Sequence, residues 1–304
     1  MEEEILISPV DQRAIPLTGM SRRELRDLHY TEEIKMAKMI LALPPFSKER
    51  KQLLNEGYAF VEALKLRYER NINGSFGSTA ASVKLVEDII EQRKQKEKTQ
   101  IVYEAGVGTG YAVERLAAVS GVKFYGCDVK ILPSVREIMR KDTELCIRER
   151  TLYEDLAELE NNLIDVFYAD NVIEHFVPDE IPYIMKRLYK KMKKGGQLIW
   201  FIPNKYTGPN DVSRYYLPKG HVASGFHFME MSYRESLCLA IRNGFKPKWI
   251  ARKVGNTYYP QKDRFGLKNY KRALHELLIC RISNVSVRSE LLGTDAFDCY
   301  ILEK

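Results

Sequence analysis

Residues Ile101–Ala112 read IVYEAGVGTGYA, and this stretch decides the fold. It begins with an apolar, β-prone run, continues with three alternating glycines, Gly106, Gly108 and Gly110, and passes into a helical pattern. Glycine lets the backbone bend sharply and approach a ligand closely, and the first turn of a helix offers free N–H groups. The stretch therefore predicts the ligand-binding end of an α/β unit.

The glycine spacing distinguishes between ligands. A dinucleotide fingerprint has the spacing G-x-G-x-x-G, which would require glycine at position 111, where this chain has Tyr111. An acid, Glu104, stands just before the turn and would repel a diphosphate but attract an ammonium group. The turn is thus expected to receive a ligand that carries positive charge.

The segments that follow continue the α/β pattern. Val122–Gly126 is a second strand pattern, and Asp128 stands at its end, about 20 residues past the turn, where such folds bind ribose hydroxyls. Ile164–Ala169 and Leu198–Ile202 are two further apolar strands. The chain therefore predicts a nucleoside-containing ligand on a mostly parallel sheet.

These motifs together resemble the class I S-adenosylmethionine-dependent methyltransferases, and most of all the small-molecule branch that includes the quinone-biosynthesis enzymes. The resemblance covers residues 80–252 and a final strand near Ala296–Leu302. The motifs that carry it are EAGVGTG (Glu104–Gly110), YGCD (Tyr125–Asp128), IDVFYADNVIEH (Ile164–His175) and GGQLIWFIPN (Gly195–Asn204).

The resemblance implies a Rossmann-like, seven-stranded, mostly parallel sheet with helices on both faces, and S-adenosylmethionine as the cofactor. The cofactor-binding residues that it implies are Glu104, Gly106, Gly108, Gly110, Asp128, Glu154, Asp155 and Asn171. In this assignment Asp128 takes the ribose hydroxyls, and Glu154 and Asp155 flank the adenine. The glycine turn holds the methionine part, together with Glu104 and the backbone of Asn171.

The chain is expected to divide at residue 78. Residues 1–78 predict a helical N-terminal cap, and residues 79–304 predict the methyltransferase core, with insertions at about 205–231 and 254–293. The glycine-containing loop Asn71–Gly77 suits a moving gate. We expect the cap and the insertions to form a lid over the carboxyl end of the sheet.

The first insertion leaves the strand that ends at Asn204 and is rich in tyrosine and histidine. Ligands of open α/β sheets bind beyond the carboxyl ends of the strands, so we expect this insertion to line the acceptor pocket. The residues expected to bind the acceptor are Tyr206, Asp211, Arg214, Tyr215, Tyr216 and His221.

Methyl transfer to a hydroxyl requires a group that removes the proton, and histidine does this near neutral pH. The candidates are His227, which lies in the apolar context Phe226–Phe228, and His175, which follows the third strand motif. A structural role for each histidine stays open. Several acids and histidines of this region could be imagined as ligands of a divalent ion, but no tight spacing such as H-x-x-x-H is present, and no metal is predicted.

The net charge and one motif position help to decide between a nucleic-acid substrate and a small molecule. A net charge of +7 and a pI near 9.0 would fit a nucleic-acid substrate, yet the most basic run, Lys186–Lys194, reads as the solvated end of a helix. Nucleic-acid base methyltransferases of this fold often carry an N/D-P-P-Y/F motif, and here Asp170–Ile173 occupies that position. The prediction is therefore an O-methyltransferase for a small-molecule or sugar-containing acceptor.

Two alternatives remain: a nucleic-acid or protein methyltransferase, and a non-catalytic cofactor-binding subunit. The five cysteines are scattered, no apolar run reaches the ~20 residues of a membrane helix, and the N-terminus lacks a basic segment. These features predict a cytoplasmic protein without a membrane partner. A homodimer is left open.

Overall fold

The computed structural model describes residues 4–69, 78–94, 99–284, 287–288, 291 and 297–304. The predicted gate loop Asn71–Gly77 lies outside these residues. The strands are β1 Ile5–Ile7, β2 Ala14–Pro16, β3 Gln100–Ala105, β4 Val122–Asp128, β5 Cys146–Glu149, β6 Ile164–Asp170, β7 Met192–Pro203, β8 Lys246–Val254, β9 Thr257–Lys262 and β10 Phe297–Glu303. The helices are α1 Arg22–Ala42, α2 Lys48–Tyr68, α3 Ala80–Lys94, α4 Tyr111–Ala117, α5 Pro133–Lys141, α6 Leu152–Glu158, α7 Ile181–Lys191, α8 Tyr233–Arg242 and α9 Leu267–Ile279.

The main sheet has the strand order β5-β4-β3-β6-β7-β10-β8-β9. Its first five strands are parallel, β10 is antiparallel to both neighbours, and β9 is antiparallel at the edge. The predicted α/β, mostly parallel sheet is confirmed, but the predicted count of seven strands is wrong. The eighth strand is β9, which the predicted insertion 254–293 contributes.

The connection order fixes where a ligand can bind. From β3 the chain builds β4 and β5 on one side and then returns to β6 on the other side of β3. The two halves diverge between β3 and β6, and this topological switch point opens a crevice beyond the carboxyl ends of the strands. The glycine turn and the third strand motif both end in that crevice.

Helices cover both faces of the sheet, as predicted. Because side chains alternate along a strand, Tyr103 and Phe167 face the layer of α6, α7 and α8, whereas Val102 and Val166 face α3, α4 and α5. All four side chains are completely buried. The sheet is therefore the middle layer of a three-layer core that holds the site rigidly.

The N-terminal helices form a third apolar cluster. Ser21 is the N-cap of helix α1 and forms a capping box with Glu24, and α1 packs against α2 through Met36 and Leu64. Phe226 of the first insertion completes this cluster. The N-terminal helices and the insertion are thus packed together.

A partly buried ion pair attaches α2 to the core. The guanidinium of Arg50, whose side chain is 1% exposed, lies 2.7 Å from Asp179 and 2.9 Å from Glu180, just before α7. Breaking a buried pair on one side leaves an uncompensated charge, which makes such contacts costly to lose. The pair therefore holds the N-terminal helices near the carboxyl end of the sheet.

Candidate functional site

The glycine turn lies between the ends of β3 and β4. Gly106, Gly108 and Gly110 all adopt left-handed φ values, of 71°, 50° and 87°, which only glycine adopts readily. The N–H of Gly108 donates to the carboxylate of Asp128 at 2.9 Å. The structure thus brings the predicted ribose acid against the predicted turn.

The side chain of Glu104 is buried beneath this turn. One carboxylate oxygen accepts a hydrogen bond from Ser78 at 2.8 Å, and the other has no partner among the described residues. Burial raises the pKa of Glu104 to about 8. A buried carboxylate with one unused oxygen is suited to an ammonium or other cationic group.

Asp170 and Asn171 follow at the carboxyl end of β6. Asp170 accepts hydrogen bonds from the Thr79 N–H at 3.1 Å and the Ser82 hydroxyl at 2.5 Å, which fixes the start of α3 against the site. Asn171 has a left-handed φ of 57°, and its side-chain amide donates to Asp170 at 3.0 Å. Asn171 thus lies just past the carboxyl end of β6, and its contact with the cofactor remains a prediction. The sequence did not indicate a role for Asp170, because the residues that hydrogen-bond to its side chain are distant along the chain.

The two predicted adenine residues have other partners. Glu154 is the third residue of a capping box at the start of α6 and forms an ion pair with Lys51 at 2.5 Å. Asp155 is fully buried and accepts from Tyr103 at 2.6 Å, with the Arg148 guanidinium also 2.6 Å away. The structure therefore places both carboxylates in internal contacts, so contact with adenine through these side chains remains a prediction.

The two predicted catalytic histidines lie side by side, with ring centroids 4.7 Å apart. The Nδ1 atom of His175 lies 3.1 Å from the Phe226 carbonyl oxygen, and the Nδ1 atom of His227 lies 2.9 Å from Glu230. Glu174 completes the group, with one potential ligand atom from each of Glu174, His175 and His227 within 4.8 Å of the others. The structure thus joins the loop after β6 to the first insertion.

The environment shifts the pKa values of this group in different directions. Burial raises the pKa of Glu174 to about 8. Burial, with a smaller effect of His227, holds the pKa of His175 well below its ordinary value. Burial also disfavours charge on His227, but Glu230 and Glu174 outweigh it and raise the pKa. His175 is therefore neutral at physiological pH.

Three predicted acceptor residues face α1. The ring of Tyr216 stacks on Tyr30 at 4.0 Å, and its hydroxyl donates to Asp27. Tyr215 is 42% exposed, and the guanidinium of Arg214 lies 4.9 Å from its ring. These side chains connect the insertion with the N-terminal helices at the surface.

The other three predicted acceptor residues are dispersed. Asp211 is buried, accepts from the Gly225 N–H at 2.7 Å, and contributes to the raised pKa of His227. His221 is exposed. Burial raises the pKa of Tyr206 to about 12, with a smaller effect of Cys280, which places Tyr206 beside α9. Of the six residues, Asp211 is the one whose charge acts on His227.

The sequence reasoning missed Glu33 and Tyr58 as site residues. Glu33 on α1 accepts from the Phe226 N–H at 2.7 Å and is hydrogen-bonded to Nε2 of His29. The ring of Tyr58 on α2 lies edge-on to His175 at 5.9 Å. Both residues look like ordinary helix residues in the sequence, and no local pattern indicates contacts so distant along the chain.

A basic cleft lies at the opposite end of the sheet. It has a volume of about 500 Å³, and Lys194, Lys248, Lys262 and Arg264 line it beside Trp249. These residues come from the start of β7, the start of β8 and the end of β9. The fold therefore places this group of basic side chains away from the glycine turn.

Residues 103–200 match the family model described as a methyltransferase domain, and this segment contains the glycine turn, Asp128 and the third strand motif. The match supports a class I S-adenosylmethionine-dependent methyltransferase with S-adenosylmethionine as the cofactor. A comparison with curated proteins gave no match.

Solved structures with a similar fold include several methyltransferases. Phosphoethanolamine N-methyltransferase 2 of Haemonchus contortus is 17% identical, with a TM-score of 0.46 over 72% of this chain and 52% of that chain. The 1,6-didemethyltoxoflavin-N1-methyltransferase of Burkholderia thailandensis is 15% identical, with a TM-score of 0.49 over 72% and 90%. The geranyl diphosphate C-methyltransferase of Streptomyces coelicolor is 13% identical, with a TM-score of 0.47 over 86% and 85%.

The chain thus spans about half the length of the Haemonchus enzyme. None of the described helices is long and apolar enough to cross a membrane.

Proposed function

We propose that this protein transfers the methyl group of S-adenosylmethionine to a hydroxyl oxygen of a small-molecule or sugar-containing acceptor. The observation that carries the proposal is the contact between His175, in the loop just after β6 and Asn171, and His227, in the first insertion. Small-molecule biosynthesis, as in the quinone-biosynthesis branch, and a cytoplasmic location belong to the same proposal.

The cofactor binds at the glycine turn in this proposal. Asp128 holds the ribose hydroxyls, and Glu104 receives the ammonium group of the methionine part. The unpartnered oxygen of Glu104 and the hydrogen bond from Gly108 to Asp128 support these roles. The sulfonium methyl then points into the crevice between β3 and β6.

The acceptor lies between the N-terminal helices and the first insertion, which form a lid over the cofactor. The contacts of Glu33 with Phe226 and of Tyr216 with Asp27 support this arrangement. A closed pocket excludes water, which would otherwise compete at the methyl group. Tyr58 and Asp211 line the inner part of the pocket, and Arg214 and Tyr215 lie at its outer surface.

The position of the basic cleft favours a small acceptor over a nucleic acid. The lysines and Arg264 surround the start of β7, whereas the glycine turn lies at the carboxyl ends of the strands. A polyanion bound at the cleft would contact the end of the sheet opposite the methyl group. The net positive charge is therefore a poor guide to the acceptor.

A hydroxyl acceptor explains the histidine pair. Because a carbonyl oxygen only accepts, the Nδ1–H of His175 must donate to the Phe226 carbonyl, which leaves the Nε2 lone pair to receive a proton. Glu230 orients His227 in the same way. An amine acceptor would need no such group, because its free form is already nucleophilic.

The test is a radioactive methyl-transfer assay with extract fractions, followed by identification of the methylated product and steady-state kinetics. We expect His175→Ala and His227→Ala to lower kcat by roughly 10²–10⁴-fold, with S-adenosylmethionine affinity unchanged. The exposed His275→Ala on α9 is the matched control and should retain kcat. Wild-type kcat in both variants, or a product methylated on nitrogen or carbon, would contradict the proposal.

A further inference from the structure

Glu174, His175 and His227 have the composition of a metal site with three protein ligands. One potential ligand atom from each lies within 4.8 Å of the other two. Two imidazoles and a carboxylate form the set that catalytic zinc sites and non-haem iron(II) sites use, with an open position for water or substrate. The spacing along the chain, from residues 174 and 175 to 227, gives no local signature of such a site.

In each histidine one ring nitrogen takes part in a hydrogen bond, which leaves the other ring nitrogen available as a metal ligand. His175 uses Nδ1 for the Phe226 carbonyl, and His227 uses Nδ1 for Glu230, so Nε2 is the ligand atom left on each ring. Metal-binding histidines almost always donate their other N–H to a carbonyl or carboxylate in this manner. Both rings therefore carry the outer hydrogen bond that a metal ligand needs.

Glu174 is the independent observation that points to a ligand. Its side chain is fully buried, and neither carboxylate oxygen has a hydrogen-bond partner among the residues that the structure describes. Leaving such a group without a partner costs about 1–3 kcal/mol or more. A cation beside the histidines would satisfy it.

We propose that Glu174, His175 and His227 bind one divalent transition-metal ion, of the zinc or iron(II) type, in the acceptor pocket. Ligand atoms around a tetrahedral ion lie about 3.3 Å apart, given metal–ligand distances near 2.0–2.1 Å. The observed separations of up to 4.8 Å need only small side-chain adjustments to reach this geometry. Glu230 would act as the positioning residue for His227.

The catalytic role of the ion rests on the proposed function, whereas its binding does not. A hydroxyl bound at the open position of the ion would lose its proton to bulk solvent before the pocket closes, because the ion would lower the pKa of a bound O–H group. The oxygen then bonds to the methyl carbon while the carbon–sulfur bond breaks and its electron pair stays on sulfur. The products are a methyl ether and S-adenosylhomocysteine. The histidines act as ligands in this form of the reaction rather than as bases.

The test measures ion binding to the chelator-treated full chain by calorimetry with Zn²⁺ and by the visible spectrum with Co²⁺, without acceptor. We expect one ion per chain and the cobalt spectrum of a four-coordinate nitrogen and oxygen site. Glu174→Gln, His175→Ala and His227→Ala should each weaken binding at least tenfold, and Glu230→Gln about 10–100-fold. The exposed His221→Ala and His275→Ala should not change it. Unchanged S-adenosylhomocysteine affinity serves as the folding check for each variant.

Two results would overturn the metal site: no binding by the wild-type chain, or binding that all three ligand variants retain. A different result would contradict the proposed function. If the ion binds but the methylated product carries no O-methyl group, only the hydroxyl acceptor is wrong. If O-methyl transfer proceeds equally well in chelator and no ion binds, the histidines are bases and the metal inference is wrong.

Discussion

At the residue scale, Glu104 is expected to couple proton binding to cofactor binding. Burial raises its pKa to about 8 from an ordinary 4.5, so the carboxyl group is largely protonated in the free protein at neutral pH. A cationic ligand prefers the ionised form. Binding of S-adenosylmethionine should therefore release a proton, and its affinity should rise between pH 6 and about pH 8.

The raised pKa also affects stability. The folded protein binds more protons at Glu104 than the unfolded chain between pH 4.5 and about 8, so the contribution of Glu104 makes the free energy of unfolding fall as the pH rises through that window. Glu104→Gln should remove this decline and weaken cofactor binding by about 1–3 kcal/mol. Calorimetry in buffers of different ionisation enthalpy and denaturant titrations measure both effects. The exposed Glu114→Gln on α4 is the control, and pH-independent affinity in the wild type would contradict the assignment.

At the scale of elements, the turn between β3 and α4 depends on the absence of a side chain. Gly106 has φ +71°, and a Cβ there would overlap Cγ2 of Val172. Gly195 has a similar φ of +77°, but among the described residues no heavy atom beyond its chain neighbours lies within 4 Å of its Cβ position. A comparison of alanine substitutions at the two glycines thus separates the free-energy cost of backbone strain from that of steric overlap.

Both Gly106→Ala and Gly195→Ala should cost roughly 1–2 kcal/mol of stability through the left-handed backbone. The overlap in Gly106→Ala should add about 1–3 kcal/mol and displace the turn, which abolishes S-adenosylhomocysteine binding. Gly195→Ala should bind the product with wild-type affinity. Chemical denaturation and calorimetry give the two quantities, and equal behaviour of the variants would show that Val172 does not limit the turn.

The same elements show what the sequence could predict. The glycine turn, Asp128 and the motif order are local signals along one strand–turn–helix unit, and the structure brings them together as expected. Strand β9 was missed because Thr257–Lys262 is half exposed and contains Pro260, which an edge strand tolerates. Glu33 and Tyr58 lie on helices and contact loop residues, and the loops carry no periodic pattern. No pattern in the sequence could therefore indicate these contacts.

At the scale of the whole molecule, the cofactor is expected to stabilise the entire core. The turn, Asp128 and Asp170 join β3, β4, β6 and α3, so a ligand held there binds the folded state alone. At about 100 times its Kd, S-adenosylhomocysteine should add about 2.7 kcal/mol to the free energy of unfolding and raise Tm by several degrees. NAD at the same concentration should not. A larger shift with NAD in thermal denaturation would overturn the cofactor assignment.

The position of β10 has a consequence for how the protein folds during its synthesis. This strand, Phe297–Glu303, lies in the interior of the sheet and pairs with both β7 and β8. Until it leaves the ribosome, two neighbouring strands present unpaired backbone groups, which are templates for pairing with other chains. The nascent chain therefore cannot close its sheet before residue 303 has emerged. A chain interrupted before Phe297 would leave the facing edges of β7 and β8 unpaired and would be prone to aggregation.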